Sequence, residues 1–250
     1  MGITIAVSAM KGGTGKTTTT INLGAALAAK GHSVLLVDLD PQGHIAEGFG
    51  IPALSLDRDI SNVLVGNCAL CDITQEVRPN LVIAPSNVHL AHLELQLITQ
   101  LRREDKLKHA IAPIASGFDY ILIDCPPSLG ILTVNAFSAA SEVVIPMAAE
   151  FFYALIGVAL VLDAIQQMQQ QLNPDLSVRG ILPTRMDRTR HARDVVQKVT
   201  DELTNVRIFN PIPESVAARN ASAAGMPLIE FDPSSPASRA YLTLAEEFST

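Results

Sequence analysis

The stretch AMKGGTGKTTTT (9–20) carries glycines, two lysines and a run of threonines in the order of a loop built to hold phosphate. The phosphate-loop pattern G-x-x-x-x-G-K-[ST] fits Gly15, Lys16 and Thr17 but puts Met10 where its first glycine belongs, and an extra lysine, Lys11, follows. Backbone amides reach phosphate oxygens only where no side chain intervenes. Gly12, Gly13 and Gly15 keep that approach open around Thr14, and the N-terminus of the following helix adds its positive dipole end. Lys16 would reach the β- and γ-phosphates, and the Thr17 hydroxyl would ligate Mg²⁺, with Thr18 beside it at the start of the helix. Gly13-x-Gly15 also begins a dinucleotide fingerprint, with Asp38 at a plausible distance to hold a ribose, but Thr18 stands where the third glycine or alanine belongs. A glycine turn with no ligand is the third possibility.

Carboxylates recur at two further places. In VDLDPQG (37–43), Asp38 and Asp40 are two residues apart at a strand end, hence on one face. Ligands of open α/β sheets gather at such C-terminal ends; otherwise Asp40 caps the turn before Pro41. In ILIDCPPSLG (121–130) an apolar strand ends at Asp124, placed to hold Mg²⁺ through water. Cys68 and Cys71 form a C-x-x-C with no second pair, and His89 and His92 are at odd spacing to complete a zinc site. Buried or loop thiols are the alternative to a metal or redox centre. TRMDRTRHAR (184–193) concentrates Arg185, Arg188, Arg190 and Arg193, which Lys198 and Arg219 extend. No aromatics interleave, so this cluster fits contact with a nucleic-acid backbone and not base stacking. The bland alternative is a solvated helix start salted with Asp187 and Asp194.

These residues need a scaffold of βα units, and apolar runs alternate with helical patterns throughout. Strands are expected at 3–9, 33–40, 80–87, 118–127, 142–147, 177–184 and 206–213, about seven in all. Helical spacing covers the threonine run up to Gly31, the residues Leu90, Leu93, Glu94, Leu97 and Leu101, and the tail 234–248 with Ser235 as N-cap and Pro236 at the first position. The run QQMQQQ (166–171) reads as the solvated side of a helix. Apolar residues make up 48% of the 250 and charged ones 17%, which favours strands buried on both faces. The expected fold is α/β: a mostly parallel twisted sheet with helices on both faces, in a single domain over 1–250.

Net charge is −7, against nucleic acid when taken alone, yet residues 179–219 hold eight Lys/Arg and five Asp/Glu while the remainder holds ten and twenty. A basic segment on an acidic chain can still meet a phosphate backbone locally. No signal-peptide pattern precedes the loop, and the longest apolar helical run, 154–162, is too short for a bilayer. A cytoplasmic protein is expected.

The order of these motifs carries a resemblance. K-G-G-T-G-K-T (11–17) resembles the deviant phosphate loop of the ParA/MinD ATPases, whose signature is the early lysine. D-x-D-P-Q-G (38–43) and ILIDCPPSLG through ILTVNAF are similar to ParA and Soj proteins, and the likeness runs from residue 3 to about 248. It implies ATP and Mg²⁺ as cofactors and an ATP-bound homodimer in which Lys11 reaches the phosphates held by the partner. It gives Lys16 and Asp40 catalytic roles, with Asp40 orienting water or Mg²⁺ ligands. The base would lie near Arg185 or Met186 and Pro213. DNA-contacting arginines of Soj-like proteins fall by position on Thr189 and near Ala217, so the contacts would pass to neighbours among Arg188, Arg190, Arg193, Lys198 and Arg219. The implied function is slow, partner-stimulated ATP hydrolysis with non-specific DNA binding, partitioning a plasmid or chromosome on the nucleoid with a ParB-like protein. Alternatives are the same cycle carrying a protein cargo, or a MinD-like membrane switch. The switch needs a basic amphipathic C-terminal helix, whereas the tail carries Arg239, Glu246 and Glu247.

Overall fold

The computed structural model describes residues 2–149 and 154–249. In chain order the elements are β1 (Ile3–Val7), α1 (Lys16–Ala29), β2 (Val34–Asp38), α2 (His44–Glu47), α3 (Ile60–Leu64), β3 (Gln75–Arg78), β4 (Leu81–Ala84), α4 (His89–Leu97) and α5 (Lys106–Ile111). Then follow β5 (Tyr120–Asp124), α6 (Ile131–Ala139), β6 (Glu142–Ala148), α7 (Ala154–Gln171), β7 (Ser177–Thr184), α8 (Arg190–Glu202), α9 (Val216–Ala223), α10 (Leu228–Phe231) and α11 (Pro236–Phe248). The strands form one sheet in the order β3-β4-β2-β5-β1-β6-β7. All pairs are parallel except β3 with β4.

The central strands are mostly apolar because both faces are covered. Successive residues go to opposite cores. Leu35, Val37, Ile121 and Ile123 join Leu64, Leu93, Leu107, Phe137, Val161 and Val199 beneath α3 to α8. Val34, Leu36, Tyr120 and Leu122 join Leu23, Ala221, Leu228 and Tyr241 beneath α1, α2 and α9 to α11. The expected mostly parallel sheet with helices on both faces is the fold observed.

Individual elements depart from expectation where apolar content and pairing part company. Residues 206–213 form no strand. Ile208 and Pro213 make only isolated bridges to Ile181 and Met186, and Pro211 and Pro213 have no N–H to extend a ladder. The seventh strand is β3, QEVR, which is half exposed at the sheet edge and lacks an apolar pattern. Leu101 lies beyond the end of α4 and is 91% exposed. The tail helix begins as expected, Ser235 Oγ accepting the Ser238 N–H at 3.1 Å with Pro236 in the first turn, a cap worth about 1 kcal/mol. In α7 the buried stripe Val158, Val161, Ile165, Met168 leaves Gln166, Gln167, Gln170 and Gln171 to solvent. Among the described residues no helix is long and apolar enough to cross a membrane.

Candidate active site

The parallel order brings the C-terminal ends of β1, β2 and β5 side by side. In register, Val7 faces Asp124 and Asp38 faces Asp124. The loop that leaves β1 therefore arches over both carboxylate motifs, in the crevice where open α/β sheets bind ligands. Gly13 (φ +76°) and Gly15 (φ +83°) take left-handed conformations, which turn the chain into α1. A side chain at Gly12 would meet nothing within 4 Å, so the outer wall of the loop is open.

The loop is tied on several sides. Thr14 Oγ1 donates to the Lys11 carbonyl at 3.2 Å, and Lys16 Nζ donates to the same oxygen at 3.4 Å. Thr184, at the end of β7, donates its hydroxyl to the Thr14 carbonyl at 2.7 Å. Arg185, itself at φ +51°, reaches the Gly13 carbonyl at 3.3 Å. Lys16 is 6% exposed, whereas the Lys11 side chain is on the exposed surface of the loop.

Thr17 and Asp124 meet directly, Oγ1 to Oδ2 at 2.6 Å, and Thr20 Oγ1 lies 3.4 Å from Asp124 Oδ1. Asp124 is fully buried. Burial pushes its carboxyl up to about 7, Asp40 adding to the rise, against the Thr17 hydroxyl, Lys16 and Thr20, which pull it down. Asp38 is also fully buried and raised well above the usual carboxylate range, by desolvation first and then by Asp124. Its oxygens accept the backbone N–H groups of Asp40 at 2.9 Å and Ile45 at 3.1 Å, which fastens the turn after β2 to α2. Asp38 thus shapes the turn, and Asp40, 8% exposed, is presented by it. Asp40 Oδ1 accepts the Gln42 N–H at 3.1 Å, and its carbonyl accepts the Ser86 hydroxyl.

This donor set suits a phosphate-bound Mg²⁺. Two buried carboxylates and a hydroxyl converge beneath an open amide loop, and among the described residues no group of three or more His, Cys, Asp or Glu is set to hold a metal. Mg²⁺ ordinarily takes one or two carboxylates plus substrate phosphates. Thr17, Asp124 and Asp40 would hold it, and it would supply charge neutralisation at the phosphates.

Beside the loop lies a cavity of about 540 Å³, within the ~300–1,000 Å³ usual for cofactor sites. Gly13, Gly15, Thr18, Arg185, Pro213 and Arg219 line it, with Tyr241 of α11 also in its wall. Met186 does not line it; its backbone holds the Pro213 segment, through N–H to the Ile212 carbonyl and C=O to the Glu214 N–H, both at 3.0 Å. The basic residues divide accordingly. Arg219 belongs to α9 and the cavity, while Arg190, Arg193 and Lys198 are exposed on α8 and Arg188 precedes it. Arg190 pairs with Asp194 at 3.7 Å and Lys198 with Glu202 at 3.9 Å. Thr189, where the resemblance would place an arginine, is the N-cap of α8 and accepts the Ala192 N–H at 3.2 Å.

Sequence inspection missed Thr20, Ser86, Thr184 and Tyr241. The threonine run at 17–20 signalled the first, since positions 17 and 20 share a helix face. Ser86 and Thr184 follow or end strands, where polar residues reach the crevice. Tyr241 arrives from the far end of the chain and carried no signal. Cys125 is fully buried, its thiol pushed upward by desolvation, and has no exposed chemistry.

A family profile described as an AAA domain matches residues 2–178. The sporulation initiation inhibitor protein Soj of Bacillus subtilis is 41% identical over 99% of this chain and 98% of its own length. The chromosome-partitioning ATPase Soj of Treponema pallidum is 40% identical over 99% and 97%. A Mycobacterium smegmatis structure named cobyrinic acid a,c-diamide synthase, solved with an ATP analog and magnesium, superposes with a TM-score of 0.88 at 36% identity, covering 100% of this chain and 95% of that one. At 40–41% identity over nearly the full length of both chains, the chain belongs to the ParA/Soj-type family of partition ATPases.

Proposed function

We propose that this chain is an ATP-dependent positioning ATPase: one domain that binds Mg²⁺-ATP, pairs with a second copy, holds DNA without sequence preference and releases it on slow hydrolysis. The loop 11–18 grips the phosphates, with Lys16 on the β- and γ-groups. Asp40, presented by the turn that Asp38 fastens, orients the attacking water. Lys11 delivers a cation to the partner's nucleotide, as an arginine finger does. A ParB-like activator or a cargo adaptor accelerates the cycle, and the protein works on the nucleoid.

The observation that carries this reading is the separation of charge. The exposed cations at the start of α8 stand apart from the phosphate loop, so they are available to a second polyanion while ATP is bound. Random-sequence duplex DNA, titrated with Mg²⁺-ATP, with Mg²⁺-ADP and without nucleotide across a salt series, tests it. ATP alone should confer tight binding that weakens steeply with salt. Replacing Arg188 and Arg193 together by glutamate should weaken that binding by roughly 10²-fold and leave ATP binding unchanged. DNA affinity indifferent to nucleotide or to the double charge reversal refutes the assignment.

The role given to Asp40 has its own test. Asp40→Ala should bind Mg²⁺-ATP and accumulate as an ATP-bound dimer, with hydrolysis reduced at least ~10²-fold. Single-turnover phosphate release at the wild-type rate would remove Asp40 from the mechanism.

A second reading follows from the name of the mycobacterial structure, synthesis of a diamide from an acid. Under it, ATP turnover requires the acid substrate and DNA leaves the rate unchanged. The positioning reading expects turnover on ATP and water alone.

A further inference from the structure

We propose that the cavity between α3 and α5 is a binding site for an anionic amphiphile, an apolar chain ending in a carboxylate or phosphate. The cavity holds about 480 Å³, a volume typical of small-ligand sites (~300–1,000 Å³). It shares no residue with the phosphate loop, with Asp40 or Asp124, or with the 540 Å³ cavity beside that loop.

Its two parts differ in chemistry. Val63, Leu64, Leu70 and Ile114 give it an apolar interior, and Leu101, 91% exposed, extends that surface into solvent. Arg102, Lys106 and His109 are its charged or titratable lining, with no aspartate or glutamate among the lining residues. On a chain of net charge −7 that imbalance is selective. Carboxylates adjacent in sequence are engaged. Asp72 accepts the Ala69 N–H at 2.8 Å, and Asp105 accepts the Ser138 hydroxyl at 2.7 Å. Asp105, half-buried, also pairs with the exposed Arg102 at 3.6 Å, a contact that an incoming anion would compete for. Arg102 sits at φ +53°, a conformation that a non-glycine residue adopts only under local constraint, and such outliers gather at ligand clamps. Apolar burial with a cationic mouth selects a ligand with a tail and an anionic head.

The C-x-x-C pair supplies the reporter. Cys68 and Cys71 both line the cavity, half-buried and exposed respectively, while Cys125 is fully buried elsewhere. The full chain would be labelled with N-ethylmaleimide, and the adducts at each cysteine counted by mass spectrometry. Submicellar dodecanoate, dodecyl phosphate and dodecyltrimethylammonium serve as the probes. The anionic probes should slow labelling of Cys68 and Cys71 at least tenfold and the cationic one should not; the stronger of the two anions identifies the head group. Ala110→Phe, which fills the cavity, and the double replacement Arg102→Glu with Lys106→Glu should each remove protection while ATP turnover stays unchanged. Absence of protection by both anions, equal protection by the cation, or protection that survives the charge reversal overturns the proposal. None of these outcomes bears on the positioning function.

Discussion

Alanine at Lys11 leaves ATP binding by the monomer within about threefold of wild type and lowers turnover by roughly 10³-fold or more, the scale of a lost cationic finger in phosphoryl transfer. The monomer site survives because Lys11 supports it through its backbone: the Lys11 carbonyl, retained in alanine, accepts from Thr14 and Lys16. The glycines at 13 and 15 keep their left-handed conformations, and Thr17 keeps its bond to Asp124. What disappears is the cationic side chain of a residue exposed on the loop. Fluorescent-nucleotide titration, light scattering with a non-hydrolysable analogue and phosphate release separate the three quantities. Lys16→Ala should behave oppositely, losing nucleotide affinity itself, since Lys16 is 6% exposed and set within the loop. A Lys11→Ala protein that pairs and turns over normally would show that the lysine acts in neither dimerisation nor catalysis.

The candidate site and the central sheet were more legible in the sequence than the sheet edges, for a physical reason. A loop that must present backbone amides admits few residues, and a buried strand that ends on a carboxylate is a recognisable apolar run. Gly13, Gly15, Lys16, Thr17, Asp40 and Asp124 therefore stood out before any contact was known, and the structure brings them into one crevice. Sheet edges obey looser rules. QEVR pairs through its backbone with β4 and needs no apolar alternation, so β3 was invisible. VRIFNPIP has the apolar content of a strand, yet its two prolines limit it to isolated bridges.

Charge was the least local property. Arg219 and the arginines Arg188, Arg190 and Arg193 look alike in sequence, but the first lines the cavity beside the phosphate loop and the others face solvent. Only the packing of α9 against that cavity tells them apart. Leu101 illustrates the same limit for apolar residues. Its spacing continues the stripe Leu90, Leu93, Leu97, but α4 stops at Leu97 and the side chain turns outward.

The second large effect concerns Asp124 and links Mg²⁺ to pH. Its folded-state value of about 7 lies above the ordinary 3.8 because burial disfavours the charged form. For a carboxylate raised in this way, the neutral form is the one that the fold favours. Stability is therefore full below about pH 4 and is lost as pH rises through about 7, to an extent on the order of 4 kcal/mol. Without Mg²⁺ and nucleotide, thermal stability should fall from pH 5 to pH 8, and Asp124→Asn should flatten the fall and melt higher at pH 8. Mg²⁺ reverses the preference, since it requires the carboxylate. Affinity for Mg²⁺-ATP should thus rise as much as tenfold per pH unit below about 7 and level off above it, with close to one proton released near pH 6. Calorimetry in buffers of different ionisation enthalpy counts that proton directly. Asp38 is raised too and faces Asp124 across the register, so the neighbour's charge is part of what the cation relieves. Mg²⁺-ATP affinity that is flat from pH 5.5 to pH 8, with no proton released, would mean that Asp124 is ionised before the metal arrives and that the cost of burying it is met by Thr17, Thr20 and Lys16 alone.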